Sequence, residues 1–134
     1  MLSPKKTKFR KSHKGRIKGV ANNCNSIDFG DYALQALEHG KLEARQIEAS
    51  RVALTRHIKR GGRVWIRVFP DRPYTQKGAE TPMGKGKGDP QGYCIEVEPG
   101  RILFEIDGVT DAVAKEALRK AGAKLPLKTK VIAR

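Results

Sequence analysis

The strongest constraint on the fold is the alternation of side chains between Arg63 and Phe69. Val64, Ile66 and Val68 alternate there with arginines and aromatic residues. Because successive side chains of a strand point to opposite faces, this period of two predicts a half-buried β-strand. One face should be apolar, and the other should carry arginines beside aromatic rings.

Two prolines, Pro70 and Pro73, follow this strand. Proline cannot donate a hydrogen bond to a sheet ladder, so we predict that the strand ends there and that the chain leaves the body as a loop over about residues 72–92. The tip of the loop alternates glycine with lysine from Gly84 to Gly88. Glycine allows close backbone approach and lysine suits a phosphate surface, so the tip is expected to contact a partner.

The charge of the chain indicates the class of that partner. The 134 residues include 28 Lys and Arg against 14 Asp and Glu, a net charge of +14. A field of this sign attracts polyanions, and nucleic acid is the leading candidate. No run approaches the roughly 20 apolar residues that would span a bilayer, and no apolar signal segment follows Met1. Cys24 and Cys94 lack a C-x-x-C spacing, so neither a zinc site nor a disulfide framework is predicted, and a reducing compartment fits best.

A basic N-terminal extension is predicted over residues 1–22, ahead of a single domain over 23–134. The segment from Lys5 to Lys18 has no acidic residue and almost nothing apolar, so it cannot offset the entropy of ordering by burial. We expect an extended arm that orders on an anion; the alternative is a solvated basic tail. The arm residues expected to bind RNA are Lys5, Lys6, Lys8, Phe9, Arg10, Lys11, His13, Lys14, Arg16 and Lys18.

The clearest helix in the sequence runs from Leu42 to Arg60, and Gly61-Gly62 is predicted to end it. Its predicted apolar side consists of Ala44, Ile47, Leu54 and Ile58. The cations expected near the opposite side, as RNA ligands, are Arg45, Arg56, Lys59 and Arg60. The alternative is a solvated face supported by local pairs with Glu43 and Glu48. The position of this face between the arm and the arginine-bearing strand favours one continuous footprint.

The remaining elements complete a small α+β pattern. Residues 26–37 are predicted as a strand interrupted at Gly30-Asp31, although the spacing also permits a short helix. Residues 93–97 and 102–107 alternate around Pro99-Gly100, which predicts a hairpin with an acidic polar face. Thr110 and Asp111 are predicted to begin a second helix that ends near Gly122. Residues 127–132 are predicted as a final short strand.

Enzymatic functions are not supported by the sequence. Gly84 to Gly88 lacks the spacing of a phosphate-binding loop. His13, His39 and His57 have no neighbouring Cys, Asp or Glu at metal-ligand or triad spacing, and His57 is expected to have a surface or RNA-contacting role. Glu105 and Asp107 share one side of a strand, as solvent-facing carboxylates commonly do. No catalytic site, metal or cofactor is predicted.

Five segments together resemble one known family. They are Pro4–Lys11, Arg45–Ala49, Val64–Asp71, Met83–Gly88 and Pro99–Arg101. In this order, over nearly the whole chain, they are similar to the bacterial large-subunit ribosomal protein sixteen family. The resemblance implies a small α+β body with two helices, an antiparallel or mixed sheet and a hammerhead-like strand arrangement.

The resemblance also implies a structural role in the large ribosomal subunit, in the cytoplasm or an organelle, rather than an enzymatic role. Its implied partners are 23S-type rRNA, other large-subunit proteins and aminoacyl-site tRNA near the peptidyl-transferase region, with the peptidyl-site tRNA as a further possibility. Arg63 and Arg67 join the predicted rRNA ligands. The predicted tRNA ligands are Pro82, Met83, Gly84, Lys85, Gly86 and Lys87.

Two positions depart from the family pattern. Many members carry an arginine before Met-Gly-Lys-Gly-Lys-Gly that is hydroxylated in some bacteria, and Pro82 stands there in this chain, so that modification cannot occur. Glu43 replaces a capping Ser or Thr, and an acid still suits a helix N-terminus.

Two alternative functions are open. One is a free RNA-binding module or RNA chaperone, and the other is a nucleic-acid-modifying enzyme.

Overall fold

The computed structural model describes residues 2–5, 24–59, 61–75 and 90–134 of the chain. Three predicted features lie outside these ranges: the arm from Lys6 to Lys18, Arg60, and the loop tip from Pro82 to Gly88. The described ranges form seven strands and two helices. In chain order they are β1 (Tyr32–Ala36), β2 (Gly40–Glu43), α1 (Ala44–Ile58), β3 (Arg63–Ile66), β4 (Arg72–Thr75), β5 (Pro90–Val97), β6 (Ile102–Asp107), α2 (Asp111–Gly122) and β7 (Thr129–Ala133).

The strands form two antiparallel sheets. The larger sheet has the order β3-β6-β1-β7 and the smaller has the order β2-β5-β4. Apolar side chains from both sheets and both helices meet in one buried cluster, with Phe104, Leu34, Ile47 and Leu118 fully buried within it. The predicted small α+β fold with two helices is confirmed.

The predicted hairpin of residues 93–107 is wrong, because its two strands belong to different sheets. β5 pairs with β2, whereas β6 pairs with β1. The turn between them is present, with Gly100 at φ 98°, but the Gly100 N–H donates to the Ala36 carbonyl at the end of β1. The β1–β2 and β5–β6 segments therefore pass together from one sheet into the other. Pro99-Gly100 predicts a turn of the chain. The alternation of apolar and polar residues on either side of the turn is the same whether the two strands pair with each other or belong to different sheets.

β3 confirms the alternation at the start of the predicted strand but is shorter than predicted. It spans Arg63–Ile66, and beyond it the Arg67 N–H still donates to the Leu103 carbonyl while Val68 is buried. The chain does not leave the body at Pro73, which lies within β4 opposite Tyr93. β4 is an edge strand, and an edge is where a sheet tolerates proline.

Helix α1 differs from its prediction at both ends. It begins at Ala44, and Leu42 is a buried residue of β2. At the other end the left-handed residue is Lys59, with φ 50°, and not a glycine. Gly62 has a different role, because a Cβ there would overlap the Asp107 carbonyl oxygen. The glycine therefore permits close approach of the chain after α1 to the end of β6.

Helix α2 begins as predicted and packs closely on α1. Thr110 is the N-cap and accepts a hydrogen bond from the Val113 N–H at 3.4 Å. Between the helices the Ser50 hydroxyl, fully buried, donates to the Ala121 carbonyl at 2.9 Å. Small residues on the buried face of α2 allow this approach: Ala114, Ala117 and Ala121.

The largest departure from the sequence prediction concerns Glu105 of β6, which is fully buried. Its carboxylate accepts hydrogen bonds from the backbone N–H groups of Phe29 and Gly30, both at 2.8 Å, and of Asp28 at 3.2 Å. The Arg67 guanidinium pairs with the same carboxylate. Burial alone would raise the pKa of Glu105, but these hydrogen bonds hold the pKa below its ordinary value of 4.5. Glu105 is therefore a buried anion and not a solvent-facing carboxylate.

The N-terminal residues that precede the arm also contact the body. Leu2 is partly buried against the apolar cluster and lines a groove with Ile66, Val68 and Phe69. The predicted extension of residues 1–22 is therefore attached to the domain at Leu2, ahead of the segment from Lys5 to Lys18 that has almost nothing apolar.

Replacing Glu105 with Gln should destabilise the protein by about 3–5 kcal/mol, because the Arg67 charge would lose its buried partner. The matched control is Glu48→Gln, which removes a partly exposed carboxylate paired with Arg51 and should cost about 1 kcal/mol or less. Urea unfolding of the two variants measures the difference. Equal destabilisation by the two substitutions would contradict a special role for the buried anion.

Comparison of the wild type with Glu105→Gln also tests the pKa of Glu105. Because the pKa in the folded protein lies below 4.5, the stabilisation by Glu105 is present above that pH and is lost as the pH falls toward the folded-state pKa. The unfolding free energy of the wild type should thus fall more steeply than that of Glu105→Gln as the pH drops below 4.5. Parallel pH profiles would show that Glu105 titrates alike in both states.

Candidate nucleic-acid interface

The described residues show neither metal-binding nor membrane-spanning features. Within those ranges, no group of three or more His, Cys, Asp or Glu side chains is placed to hold a metal ion. No helix in the same ranges is long and apolar enough to cross a membrane. Cys24 and Cys94 are free thiols, and burial raises the pKa of Cys94.

The predicted basic side of α1 is exposed, but it divides into two parts. Arg45 lies at the start of the helix and is 3.6 Å from the Glu43 carboxylate. Arg56 and Lys59 lie at the other end and are also exposed. At 1.5 Å per residue, Arg45 and Arg56 are roughly 16 Å apart along the axis, so they cannot contact one phosphate group together.

A groove of about 910 Å³ lies between the C-terminal part of α1 and helix α2. Arg56 of α1 and Lys59 just after it line one side, and Arg119, Lys120 and Lys124 line the other side from α2 and the residues after it. We call Arg56, Lys59, Arg119, Lys120 and Lys124 the groove cations. The other described residues that line the groove are not acidic; they are Ala53, His57, Ile58, Val113 and Ala123. The groove cations form a concentrated positive surface at the contact of the two helices.

Two local contacts fix side chains within the groove. The Lys120 ammonium lies 3.2 Å from Nδ1 of His57, and because an ammonium can only donate, the imidazole accepts there. Arg119 donates to Glu116 at 3.1 Å, a contact that raises the pKa of Arg119 and lowers the pKa of Glu116. Arg119 thus shares its charge with Glu116, which lies outside the groove lining.

Sequence reasoning identified the α1 half of this surface and missed the α2 half. Arg119, Lys120 and Lys124 were not among the predicted RNA ligands. Their signal was visible as three cations in and just after the last turn of a predicted helix. Such a signal is common at helix C-termini, where cations interact favourably with the helix dipole, and only the packing of α2 on α1 brings these cations beside Arg56 and Lys59.

The two arginines of the predicted β3 surface have different environments. Arg63 is exposed at the start of β3, opposite Asp107 of β6. The Arg67 side chain is only 13% exposed, and its guanidinium contacts both Glu105 and, at 3.0 Å, Asp28. Arg67 is therefore engaged within the fold, and of the two arginines only Arg63 presents its side chain freely to solvent.

Two carboxylates of the predicted acidic face, Glu96 and Glu105, are paired within the fold. Glu96 lies 2.7 Å from the guanidinium of Arg72 and 3.8 Å from the ammonium of Lys41. Glu105 is buried. Both negative charges are therefore neutralised within the fold.

The residues flanking the predicted loop tip are described even though the tip itself is not. β4 and β5 pair antiparallel, with Arg72 opposite Cys94 and Pro73 opposite Tyr93. The end of β4 and the start of β5 therefore lie side by side in the smaller sheet. The predicted tRNA ligands lie within the connection between β4 and β5.

Comparison with known proteins agrees with the resemblance seen in the sequence. The family described as ribosomal protein L16p/L10e matches residues 4–132. Two relatives, from Maricaulis maris (strain MCS10) and Afipia carboxidovorans (strain ATCC 49405 / DSM 1227 / KCTC 32145 / OM5), are each named large ribosomal subunit protein uL16. Each is 60% identical to this chain over 134 residues, which is 100% of this chain and 98% of the relative.

The double substitution Lys120→Ala with Lys124→Ala should weaken binding to a 20-base-pair RNA duplex. Without these lysines fewer phosphates are neutralised, so fewer counterions are released on binding. The slope of log affinity against log salt should become shallower by about 0.9 for each phosphate that is no longer neutralised. The matched control is Lys115→Ala, on the same helix but 3.1 Å from Asp111 and outside the groove lining. Filter binding at several salt concentrations measures both slopes, and equal slopes for the two variants would exclude the groove from the RNA interface.

Proposed function

The chain belongs to the L16p/L10e family of ribosomal proteins, and from this premise we propose that it binds large-subunit rRNA chiefly through the groove cations. As a member of this family it is a protein of the large ribosomal subunit. The observation that carries the proposal is the meeting of five cations from two helices in a groove whose described lining contains no acid. Such a surface is suited to the closely spaced phosphates of folded RNA.

The proposed mechanism is scaffolding by charge. Lysine and arginine side chains displace counterions from rRNA phosphates, which supplies affinity but little discrimination between sequences. A-form RNA is recognised largely by its shape and backbone, so the spacing of the cations sets the register. The packing of α1 on α2 fixes that spacing, because the groove cations are carried by elements that share one core.

Other predicted ligands extend the proposed interface away from the groove. Arg45 at the start of α1 and Arg63 on β3 are exposed cations on different parts of the body. The arm cations belong to the same proposal on grounds of sequence alone. A protein with cations on several sides suits a site where several RNA segments meet, because each segment presents its own phosphates.

We also propose that the connection between β4 and β5 contacts tRNA in the aminoacyl site. The sequence of this connection ends in a glycine–lysine alternation at 84–88, which permits close approach to a phosphate backbone. Its flanking strands pair with each other in the smaller sheet, and none of their residues is among the described residues that line the α1–α2 groove. The proposal thus assigns rRNA and tRNA to different parts of the molecule.

Stable assembly distinguishes a ribosomal role from a free RNA-binding module or chaperone. The protein should remain with large subunits through a wash at 0.5 M salt, because many rRNA segments would hold it at once. A free module bound mainly through phosphates would lose several orders of magnitude in affinity as the salt rises. Sedimentation of washed subunits followed by quantification of the protein makes the measurement, and release into the supernatant would contradict the proposal.

Replacing Lys85 and Lys87 together with Ala should leave the amount of this protein in purified large subunits unchanged and weaken tRNA binding in the aminoacyl site. The expected loss is a few-fold to tenfold, because two point charges on phosphates are removed. Both quantities are measured on the same particles, with Lys115→Ala as a control at a cation that pairs with Asp111 and lies outside the groove lining. Subunits lacking the protein would identify the connection as an rRNA anchor, and unchanged tRNA affinity would remove the tRNA role.

A further inference from the structure

We propose that Phe29 and Trp65 form a stacking site for one unpaired base of RNA. The inference deepens the proposed function and rests on it, since it requires that the chain bind RNA. It adds a different chemistry, because the groove cations recognise phosphates whereas an exposed aromatic ring recognises the face of a base.

Phe29 and Trp65 form an aromatic platform, which we define as these two stacked rings. The rings of Phe29 and Trp65 are stacked, with centroids 5.9 Å apart and planes inclined by 20°. The guanidinium carbon of Arg67 lies 4.9 Å from the centre of the Phe29 ring. Even with these two contacts Phe29 is 54% exposed, the largest exposed fraction among the described large apolar residues. An aromatic surface of this extent in water is available to a flat ligand.

The platform is held rigidly by buried groups. The Phe29 N–H donates to Glu105 at 2.8 Å, and so does the N–H of Gly30. A Cβ on Gly30 would lie 2.6 Å from the Ile106 carbonyl oxygen, so the backbone is pressed directly on β6. The backbone of Trp65 is held in the larger sheet, where it lies opposite Glu105 in the β3–β6 ladder. A ring that is already positioned loses little freedom when a base stacks on it, which favours binding.

The surroundings of the platform fit a base better than an apolar protein surface. Asp28 and Glu105 both pair with Arg67, so the arginine that lies against the Phe29 ring already has carboxylate partners. The attraction of phosphate to Arg67 is thereby reduced. A single exposed ring surrounded by charged side chains offers too little apolar area for a protein partner, whereas stacking needs only the area of one base.

The chain contains one tryptophan, so its fluorescence reports on the platform directly. The probes are an adenosine octaribonucleotide and an abasic octamer with the same sugar–phosphate backbone. The adenosine octamer should quench or shift the emission of Trp65 in a saturable manner and bind roughly 5- to 150-fold more tightly than the abasic octamer, the range expected for stacking of one base. The abasic octamer should bind through charge alone and leave the emission unchanged.

Substitutions then assign the base-dependent binding to the platform. Phe29→Ala should lose most of the difference between the two octamers, Phe29→Tyr should keep it, and Leu37→Ala, which truncates an apolar side chain that is 46% exposed elsewhere, should also keep it. Thermal unfolding of each variant confirms that the fold is retained, and Phe29→Tyr supplies the comparison if Phe29→Ala does not fold.

The outcomes separate the two proposals. Binding of both octamers with equal affinity by the wild type, or an equal loss of affinity for both in Phe29→Ala, would overturn the stacking site and leave the phosphate interface standing. Failure to bind either octamer or any RNA duplex would overturn RNA binding by the free protein, and the stacking site with it. Base-dependent binding that disappears only in Phe29→Ala supports the stacking site.

Discussion

Glu105 is a buried carboxylate on one of the two interior strands of the larger sheet, and its burial sets conditions on two other segments. An isolated buried charge is strongly unfavourable, so the carboxylate must be hydrogen-bonded and paired. The backbone at 28–30 supplies N–H donors, and Arg67 supplies the counter-charge. The entry to β1, the end of β3 and the centre of β6 are thereby joined at one point. The position of Phe29 over Trp65 depends on the same point.

The parts of the fold that could be predicted are those with a local physical cause. The alternation in β3, the Thr110 cap of α2 and the apolar side of α1 depend on residues near one another in sequence. The placement of β5 and β6 in different sheets could not be predicted, because it is determined by which distant strands are available for pairing. Glu105 was misassigned for a related reason. Alternation places it away from Phe104, but only the tertiary structure shows that this second face is covered too.

The candidate interface shows the same division. Arg56 and Lys59 could be identified from helical spacing alone. Their neighbours Lys120 and Lys124 are more than sixty positions away, and they reach the groove only because small residues and the Ser50–Ala121 hydrogen bond let the helices pack closely. Conversely, an arginine on a strand beside aromatic residues is as consistent with an internal ion pair as with an RNA contact. The contacts of Arg67 with Glu105 and Asp28 in the folded protein show that its side chain forms an internal ion pair.

The order of strands in the larger sheet determines when the chain can fold as it is made. β6 lies between β3 and β1, yet it follows both in sequence, and Asp28 is separated from its partner Glu105 by 77 positions. Chains are synthesised from the N-terminus, so β1 and β3 emerge long before the strand that joins them. Contacts of such long separation also slow folding after release. The cations of the arm and of α1 are therefore exposed to polyanions before the core of the protein can form.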